Sequence, residues 1–414
     1  MKLLVFAHTP PPHHGQSYMV ELMLKNFGGD RRDGKSEGDR SRSIECYHVN
    51  ARFSQSLENI GEFQAKKLLL VLFFCLEAIW CRFRYGVPNL YYIPAPGKRV
   101  ALYRDWMVLF LCRPFFKRII LHWHAAGLAK WLETAVQMRM RSFTYHWFKG
   151  VDLSIVISKY NVADAAKLRP KRIRVVSNGI PDPCANFANG LQLRRQARLR
   201  VRKHLLGGER PTTEDFRNAG DDPQLVRVLF IAHCSHEKGF FAAAEGVRLA
   251  NATLVAQRSP LRMKLFAAGS FVDDREHAEF EQLRRQPEFA EALEHLGFVA
   301  GAVKNRVLRE ADVFCFPTMY MGENQPVNLI EAMAYGLPVV TTRWRSLPEM
   351  FPPGYPGLVD NQAADKIAEA LLRLMTSDVG GELRANFINR FTLEHHLTNL
   401  AAALHEVEQP AGAA

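Results

Sequence analysis

Apolar residues recur along this chain in two alternating rhythms. Short runs rich in β-branched and aromatic residues give way to longer stretches with apolar positions at helical spacing. Residues 2–8, 44–50, 89–93, 118–127, 152–158 and 174–180 read as strands, with helical patterns at 18–24, 65–84 and 102–111 between them. The rhythm then stops. Residues 181–222 hold no convincing strand, are rich in Arg, Gly, Asn, Asp and Pro, and contain one basic helix over 191–206. They read as a mobile linker with an insertion. Strands resume at 224–233, 263–268, 296–299 and 312–316, another starts at 338, and 363–408 is helical. Strand–helix alternation in two halves predicts α/β architecture with parallel sheets. Residues 28–43 are polar, charged and glycine-rich, as in a mobile loop.

Length and composition narrow the class. A chain of 414 residues has room for two domains. Its seven cysteines are scattered and form no CxxC pair, which argues against a disulfide framework or a zinc site and for a reducing compartment. The opening apolar run, 1–7, is too short for a signal peptide, and the most apolar stretch, 68–80, is too short to span a bilayer. The expected location is cytoplasmic. The net charge of +12 is lopsided: residues 1–180 hold 28 Lys and Arg against 13 Asp and Glu, and the remainder is slightly acidic. A basic half calls for an anionic partner. No helix-turn-helix, zinc-finger or RNA-binding pattern is present, so nucleic acid is set aside for an anionic membrane surface or a phosphate-bearing acceptor. The 65–84 helix, with Lys66, Lys67, Arg82 and Arg84 at its ends, reads either as a buried core helix or as one lying on anionic lipid.

Candidate chemistry concentrates between Phe314 and Val340. A strand ended by Pro317 runs into a polar loop, Gly322 to Gln325, and then a helix with Pro326 at its first position and Leu329, Ile330, Met333 and Ala334 on its apolar stripe. Gly336 stops it. The amides near Val327 and Asn328 open an anion seat at the helix N-terminus. Glu331 leans back toward that mouth and Glu323 stands before it. Carboxylates suit diols, since each accepts two hydroxyl hydrogen bonds. Elsewhere, the first strand enters a loop holding Gly15, where a backbone can approach a ligand closely. His122 and His124 lie on one face at the end of the 118–127 strand, where open α/β sheets gather ligands, although a histidine satisfied in the core is the competing reading.

Glu323, seven residues, Glu331 and then Ala-Met-Ala-Tyr-Gly-Leu-Pro-Val-Val resembles the signature of the GT-B-fold retaining glycosyltransferases of family 4, glycosyl transferases group 1. The resemblance implies two Rossmann-like domains facing a central cleft: 1–182 for the acceptor, a linker and insertion at 183–223, 224–385 for the nucleotide-sugar donor, and a C-terminal helix from 386 to 414 packing back on the first domain. It implies an NDP-sugar co-substrate, no metal or other cofactor, and a glycan or lipid-linked acceptor; the basic first half adds the expectation of a peripheral place on the inner membrane face. Lys238 inherits a diphosphate contact, Glu323 the sugar, Glu331 the ribose, Gly15 a place beside the donor phosphates, and His124, with His122 second, a donor-sugar contact. The departing diphosphate would be held by Lys238 and by the helix mouth at Pro326, Val327 and Asn328. His233 stands where the family commonly has arginine, so a titratable group replaces a fixed cation. Arg343 and Arg345 are weaker phosphate candidates. The acidic pair Asp273 and Asp274 sits in a polar loop and is given no metal role. The same fold also supports a nucleotide-sugar 2-epimerase or a non-catalytic binding subunit.

Overall fold

The computed structural model describes residues 1–12, 14–34, 43–53, 65–95 and 97–409. They divide into two units. The first runs from Met1 to Ile180 and takes back the chain from Leu393; the second is Pro181–Thr392.

Unit 1 is built on six parallel strands, β1 (Lys2–Ala7), β2 (Glu45–Asn50), β3 (Asn89–Tyr92), β4 (Arg118–Trp123), β5 (Leu153–Val156) and β6 (Ile173–Val175), in the order β2-β1-β3-β4-β5-β6. Between them run α1 (Gly15–Asn26), α2 (Ala65–Arg84), α3 (Arg99–Cys112), α4 (Leu128–Ala135), α5 (Met138–Phe148) and α6 (Val162–Ala166). Both sheet faces are covered, so the strands are apolar on both sides. Leu4, Phe6, Leu121 and Trp123 join one core, with Val71 of α2 and Leu102 of α3. Leu3, Val5 and Ile120 join the other, with Val20 of α1. Strand alternation places His122 on the Ile120 side.

Unit 2 repeats the plan. Its parallel strands are β7 (Leu225–Ile231), β8 (Arg262–Ala268), β9 (Leu293–Gly297), β10 (Val313–Phe316), β11 (Val339–Thr342) and β12 (Leu358–Val359), in the order β12-β11-β10-β7-β8-β9. Its helices are α7 (Gln192–Leu206), α8 (Thr213–Ala219), α9 (Phe240–Ala256), α10 (Asp274–Leu283), α11 (Pro287–Ala290), α12 (Gly301–Glu310), α13 (Val327–Ala334), α14 (Ala364–Leu374) and α15 (Gly380–Arg390). Counted within the unit, this is the dinucleotide-fold order 3-2-1-4-5-6, whose strand direction of travel reverses between β7 and β10. A crevice opens at such a reversal because the loops after the two strands leave in opposite directions.

The chain then re-enters unit 1 as α16 (Leu393–His405). Leu397, Leu400 and Leu404 enter the same core as Leu3 and Ile120, and the Leu393 amide donates to Ile180 O at 2.8 Å. The change of unit falls at Leu393, after α15, rather than at 386.

Three expectations need correction. Residues 183–223 are not a loose linker: a π-helical turn at Phe187–Leu191, α7 and α8 belong to unit 2, and three arginines of α7 are buried there. Strand β9 occupies Leu293–Gly297 rather than 296–299, since it pairs with β8 there and leaves Phe298 exposed. Gly15 lies in no loop but is the first residue of α1, capped by His14. Half of the polar 28–43 stretch, residues 35–42, lies outside those described, and of the rest Arg31–Asp33 form a 3-10 turn rather than a loose loop.

Candidate functional site

Two loops of unit 2 flank the reversal between β7 and β10. The loop after β7 carries His233 to Lys238, and the loop after β10 carries Pro317 to Gln325. Gly239 ends the first with φ near 84°, and a Cβ there would stand 2.4 Å from the Pro317 carbonyl. Glycine thus lets the two loops touch. The contact is extended by the Met319 amide donating to Glu237 O at 2.9 Å.

Across it, Lys238 Nζ donates to Glu323 Oε2 at 2.8 Å. Glu323 is buried and also accepts from Thr318 Oγ1 at 3.2 Å. The ammonium lies 4.1 Å from the Tyr320 ring centroid, a cation–π contact in partly desolvated surroundings. The sequence-based reading assigned these residues to different parts of one ligand. In the free protein they face each other.

Behind them, α13 begins one residue later than expected. Pro326 is the N-cap, with ψ of 128°, and Val327 and Asn328 hold the first two helical positions, where amides lack partners inside the helix. The Asn328 side chain ties this mouth to β7, donating from Nδ2 to Ile231 O at 2.7 Å, while its buried Oδ1 has no hydrogen-bond partner among the described residues. Glu331, one turn along, does not join the Lys238–Glu323 pair. It accepts from Lys304 of α12 at 2.5 Å. Lys304 escaped the sequence reading because it sits in a separate helix with no motif around it. Its only signal was a place on a helix just before β10.

His233 is half-buried. Burial first, and then the Lys238 charge, lowers its pKa below the ordinary histidine value, so it is neutral at pH 7. A backbone hydrogen bond with Ser270 opposes the shift, and among the described residues the buried His233 Nδ1 has no hydrogen-bond partner. An arginine here would keep its charge. His233→Arg is therefore expected to tighten nucleoside diphosphate binding about fivefold to tenfold, read by titration calorimetry; unchanged or weaker affinity would remove His233 from the diphosphate. Of the weaker candidates, Arg343 pairs with Asp360 at 3.2 Å on the surface. Arg345, with φ of 50°, points NH2 at Met321 Sδ and leaves Nε and NH1 buried without hydrogen bonds among the described residues. Asp273 caps α10 by accepting from the Arg275 amide at 2.7 Å, a structural use of that carboxylate.

In unit 1 five histidines, His8, His14, His122, His124 and His396, gather near the carboxyl ends of β1 and β4. The His122 and His124 rings lie tilted at 39° to each other with centroids 4.3 Å apart, and the Tyr91 hydroxyl bonds His122 Nδ1. His396 of α16 donates from Nδ1 to Ser177 O at 2.7 Å. His14 Nδ1 accepts the Ser17 amide at 3.2 Å, and its Nε2 lies 2.8 Å from His8 Nε2. Burial, then the neighbouring imidazoles, holds His124 near pKa 3 and His8 near 4; burial alone drives His396 to about 4 and dominates for His122, which lies well below its usual value. All are neutral at pH 7, and a neutral imidazole suits a hydroxyl rather than a phosphate.

That clustering has a sign in pH. An unfolded histidine titrates near 6.5. Below that value the unfolded chain takes up protons that the folded unit refuses until pH 3–4. Stability present above pH 6.5 should fall by up to about 1.4 kcal/mol per pH unit for each such histidine as pH drops toward 4. Urea unfolding of unit 1 at pH 7, 6 and 5 measures this. A midpoint that stays constant over that range would contradict it.

The geometry can now be set beside known proteins. The family described as Glycosyl transferases group 1 matches residues 226–377, nearly all of the unit 2 sheet and both loops of the site. The chain carries a group 1 glycosyl transferase domain. The amylovoran biosynthesis glycosyltransferase AmsK of Erwinia amylovora is 28% identical over 156 residues, 36% of each chain. A phosphatidyl-myo-inositol mannosyltransferase of Mycolicibacterium smegmatis is 35% identical over 118 residues, 28% of this chain and 30% of that one. These alignments thus span about a third of the relatives' length. Over whole chains the likeness is one of fold. Anabaena HepE, crystallised with UDP and glucose, covers 98% of this chain and 100% of its own at 15% identity with a TM-score of 0.61. Sucrose-phosphate synthase of Thermosynechococcus elongatus covers 99% of both at 16% and 0.64. The group 1 domain is therefore one half of a GT-B fold, as its signature implied.

Proposed function

We propose that this protein is a retaining glycosyltransferase that moves a sugar from an NDP-sugar to a hydroxyl of a glycan or lipid-linked acceptor. The observation that carries the reading is the Lys238–Glu323 pair at the strand-order reversal of unit 2, beside the α13 N-terminus. The comparisons support it: HepE was crystallised with UDP and glucose, and the named relatives act in polysaccharide or glycolipid synthesis.

The reaction breaks the bond between the anomeric carbon and the diphosphate oxygen and forms one to the acceptor oxygen, whose proton passes to the departing diphosphate. Negative charge grows on the diphosphate as it leaves. Fixed positive groups that meet that charge lower the barrier most. Lys238 is one, and the α13 amides at Val327 and Asn328 are another. A diphosphate on the ammonium would draw it off Glu323. The carboxylate would then stand free beside the oxocarbenium-like sugar and accept from its hydroxyls. Glu331, released by Lys304, would take the ribose diol. His124, neutral, would hold a sugar hydroxyl. No residue here is asked to bind a metal.

A thermal-shift panel of UDP, GDP and ADP identifies the base, and the matching NDP-sugars with oligosaccharide and lipid-linked acceptors then test transfer, with the product anomer read by NMR. Stabilisation by none of the diphosphates, or an inverted product, would end this reading. Donor consumed without acceptor, giving a C2 epimer, would assign the site to an epimerase.

A further inference from the structure

Helix α2 is apolar on both its inward and its outward face. Its inward face carries small side chains, Val71, Cys75, Ala78 and Cys81, all buried in the unit 1 core. Its outward face carries large ones. Leu69, Leu72, Phe73, Leu76, Trp80 and Phe83 fall within an arc of about 100°. Leu69, Phe73, Leu76, Trp80 and Phe83 are 68, 58, 57, 54 and 67% exposed. A surface helix normally turns polar residues to water, and a contiguous apolar patch marks an interaction surface. Neighbouring elements extend it. Phe83 meets exposed Phe115 at 6.0 Å, and α3, packed against α2, turns out Phe110, which meets Trp147 of α5 at 5.2 Å.

The charge around the patch selects its occupant. Residues 65–118 hold ten Lys and Arg and two acids, Glu77 and Asp105. Both acids are already engaged, Glu77 by Arg32 at 2.6 Å and Asp105 by Arg104 at 2.8 Å. Arg84 and Lys117 stand exposed near the end of the stripe. A second copy would bring the same positive charge and be repelled. A nucleic acid would leave the aromatic stripe in water. A surface that takes aromatic rings between headgroups and cations onto phosphates satisfies both features. Among the described residues no helix is long and apolar enough to cross a membrane, so α2 lies on such a surface rather than through it.

We infer that the outward face of α2, with Phe110 and Phe115, is a docking surface for an anionic bilayer, seated with the helix in the interfacial plane. The inference rests on unit 1 alone and is independent of the reaction at unit 2. The test is flotation of the full-length chain with phosphatidylcholine vesicles, with and without phosphatidylglycerol, at low and high salt. Binding should require phosphatidylglycerol and weaken with salt. Phe73→Ser with Trp80→Ser should weaken it at least about tenfold, and Arg84→Glu with Lys117→Glu should weaken it severalfold, both with unchanged circular dichroism. All four side chains are exposed, so neither pair is expected to disturb folding, and each pair checks the other. Vesicle binding should also shift the tryptophan emission to the blue, and Trp80→Phe should reduce that shift. Absence of binding to anionic vesicles, or binding that survives both variants, overturns the proposal. So does a dimer that the Phe73 and Trp80 changes dissolve while vesicles are ignored, since the face would then belong to a second copy.

Discussion

Asp312→Ala is expected to destabilise unit 2 by about 3–5 kcal/mol, the largest loss of stability of any single substitution proposed here. Asp312 sits at the start of β10 with its carboxylate buried between two arginines of α7. Oδ1 accepts Arg198 Nε at 2.7 Å, and Oδ2 accepts Arg202 NH2 at 2.7 Å and the Arg227 amide of β7 at 2.9 Å. The three side chains are almost wholly shielded from water. The two guanidiniums, with the rest of the network, hold the carboxylate ionised far below the usual range against the opposing effect of burial. Alanine would leave two buried cations with only carbonyl partners: Ala219, Asp221, Asp222 and Leu225 for Arg198, and Pro223 and Leu225 for Arg202. It would also free the β7 amide that fixes the β7–β10 register. The loop that carries Glu323 starts from that register, so on the proposed reading diphosphate binding should fall as well. The control is Arg198→Leu with Arg202→Leu on the Asp312→Ala background. Removing the uncompensated charges should recover part of the loss, because a buried ion pair contributes less net stability than its rupture costs. Urea titration of the unit 2 transition measures both. A change under about 1 kcal/mol for Asp312→Ala, or no recovery in the triple variant, would show that the cluster is not what holds α7 to the sheet.

The same cluster shows where sequence legibility ended. The strands were readable because parallel sheets covered on both faces demand continuous apolar runs, as in Leu3 to Ala7 and Val313 to Phe316. Helix α7 was readable as a helix but not as core. Its arginines predict a solvated face by composition, and only their spacing, 195, 198 and 202, hints that they share one side. The partner that makes them buriable, Asp312, is over a hundred residues away. Arg195 makes the same point. It caps helix C-termini through the carbonyls of Leu308, Ala311 and Tyr335, and burial lowers its pKa to about 10. In the candidate site, the residues in sequence motifs were legible as a list, but their pairing was not. Nothing local announces that Glu323 faces Lys238 and that Glu331 faces Lys304. Sequence marks the loops that meet at a strand-order reversal; which side chains meet across them depends on the approach that Gly239 permits.

That pairing makes the second large effect separable from mere damage. Lys238→Ala is expected to lower kcat/KM by about 10²–10³, the cost of removing one preorganised partner for a developing oxyanion. It should also abolish most of the thermal stabilisation given by the best nucleoside diphosphate. Taken alone, that result is ambiguous, because the substitution strands the buried Glu323 carboxylate and should weaken unit 2 itself. The double variant Lys238→Met with Glu323→Gln resolves it. A neutral amide can still accept from Thr318 Oγ1, which now bonds Glu323 at 3.2 Å, so no uncompensated charge remains and stability should return toward that of the parent chain. Turnover should not return, since the ammonium that meets the leaving group is still gone. Glu323→Gln alone should leave diphosphate binding nearly intact, or tighten it by freeing Lys238, while still slowing transfer. Stability restored together with turnover in the double variant would mean that the pair serves the fold and that the leaving diphosphate is held elsewhere.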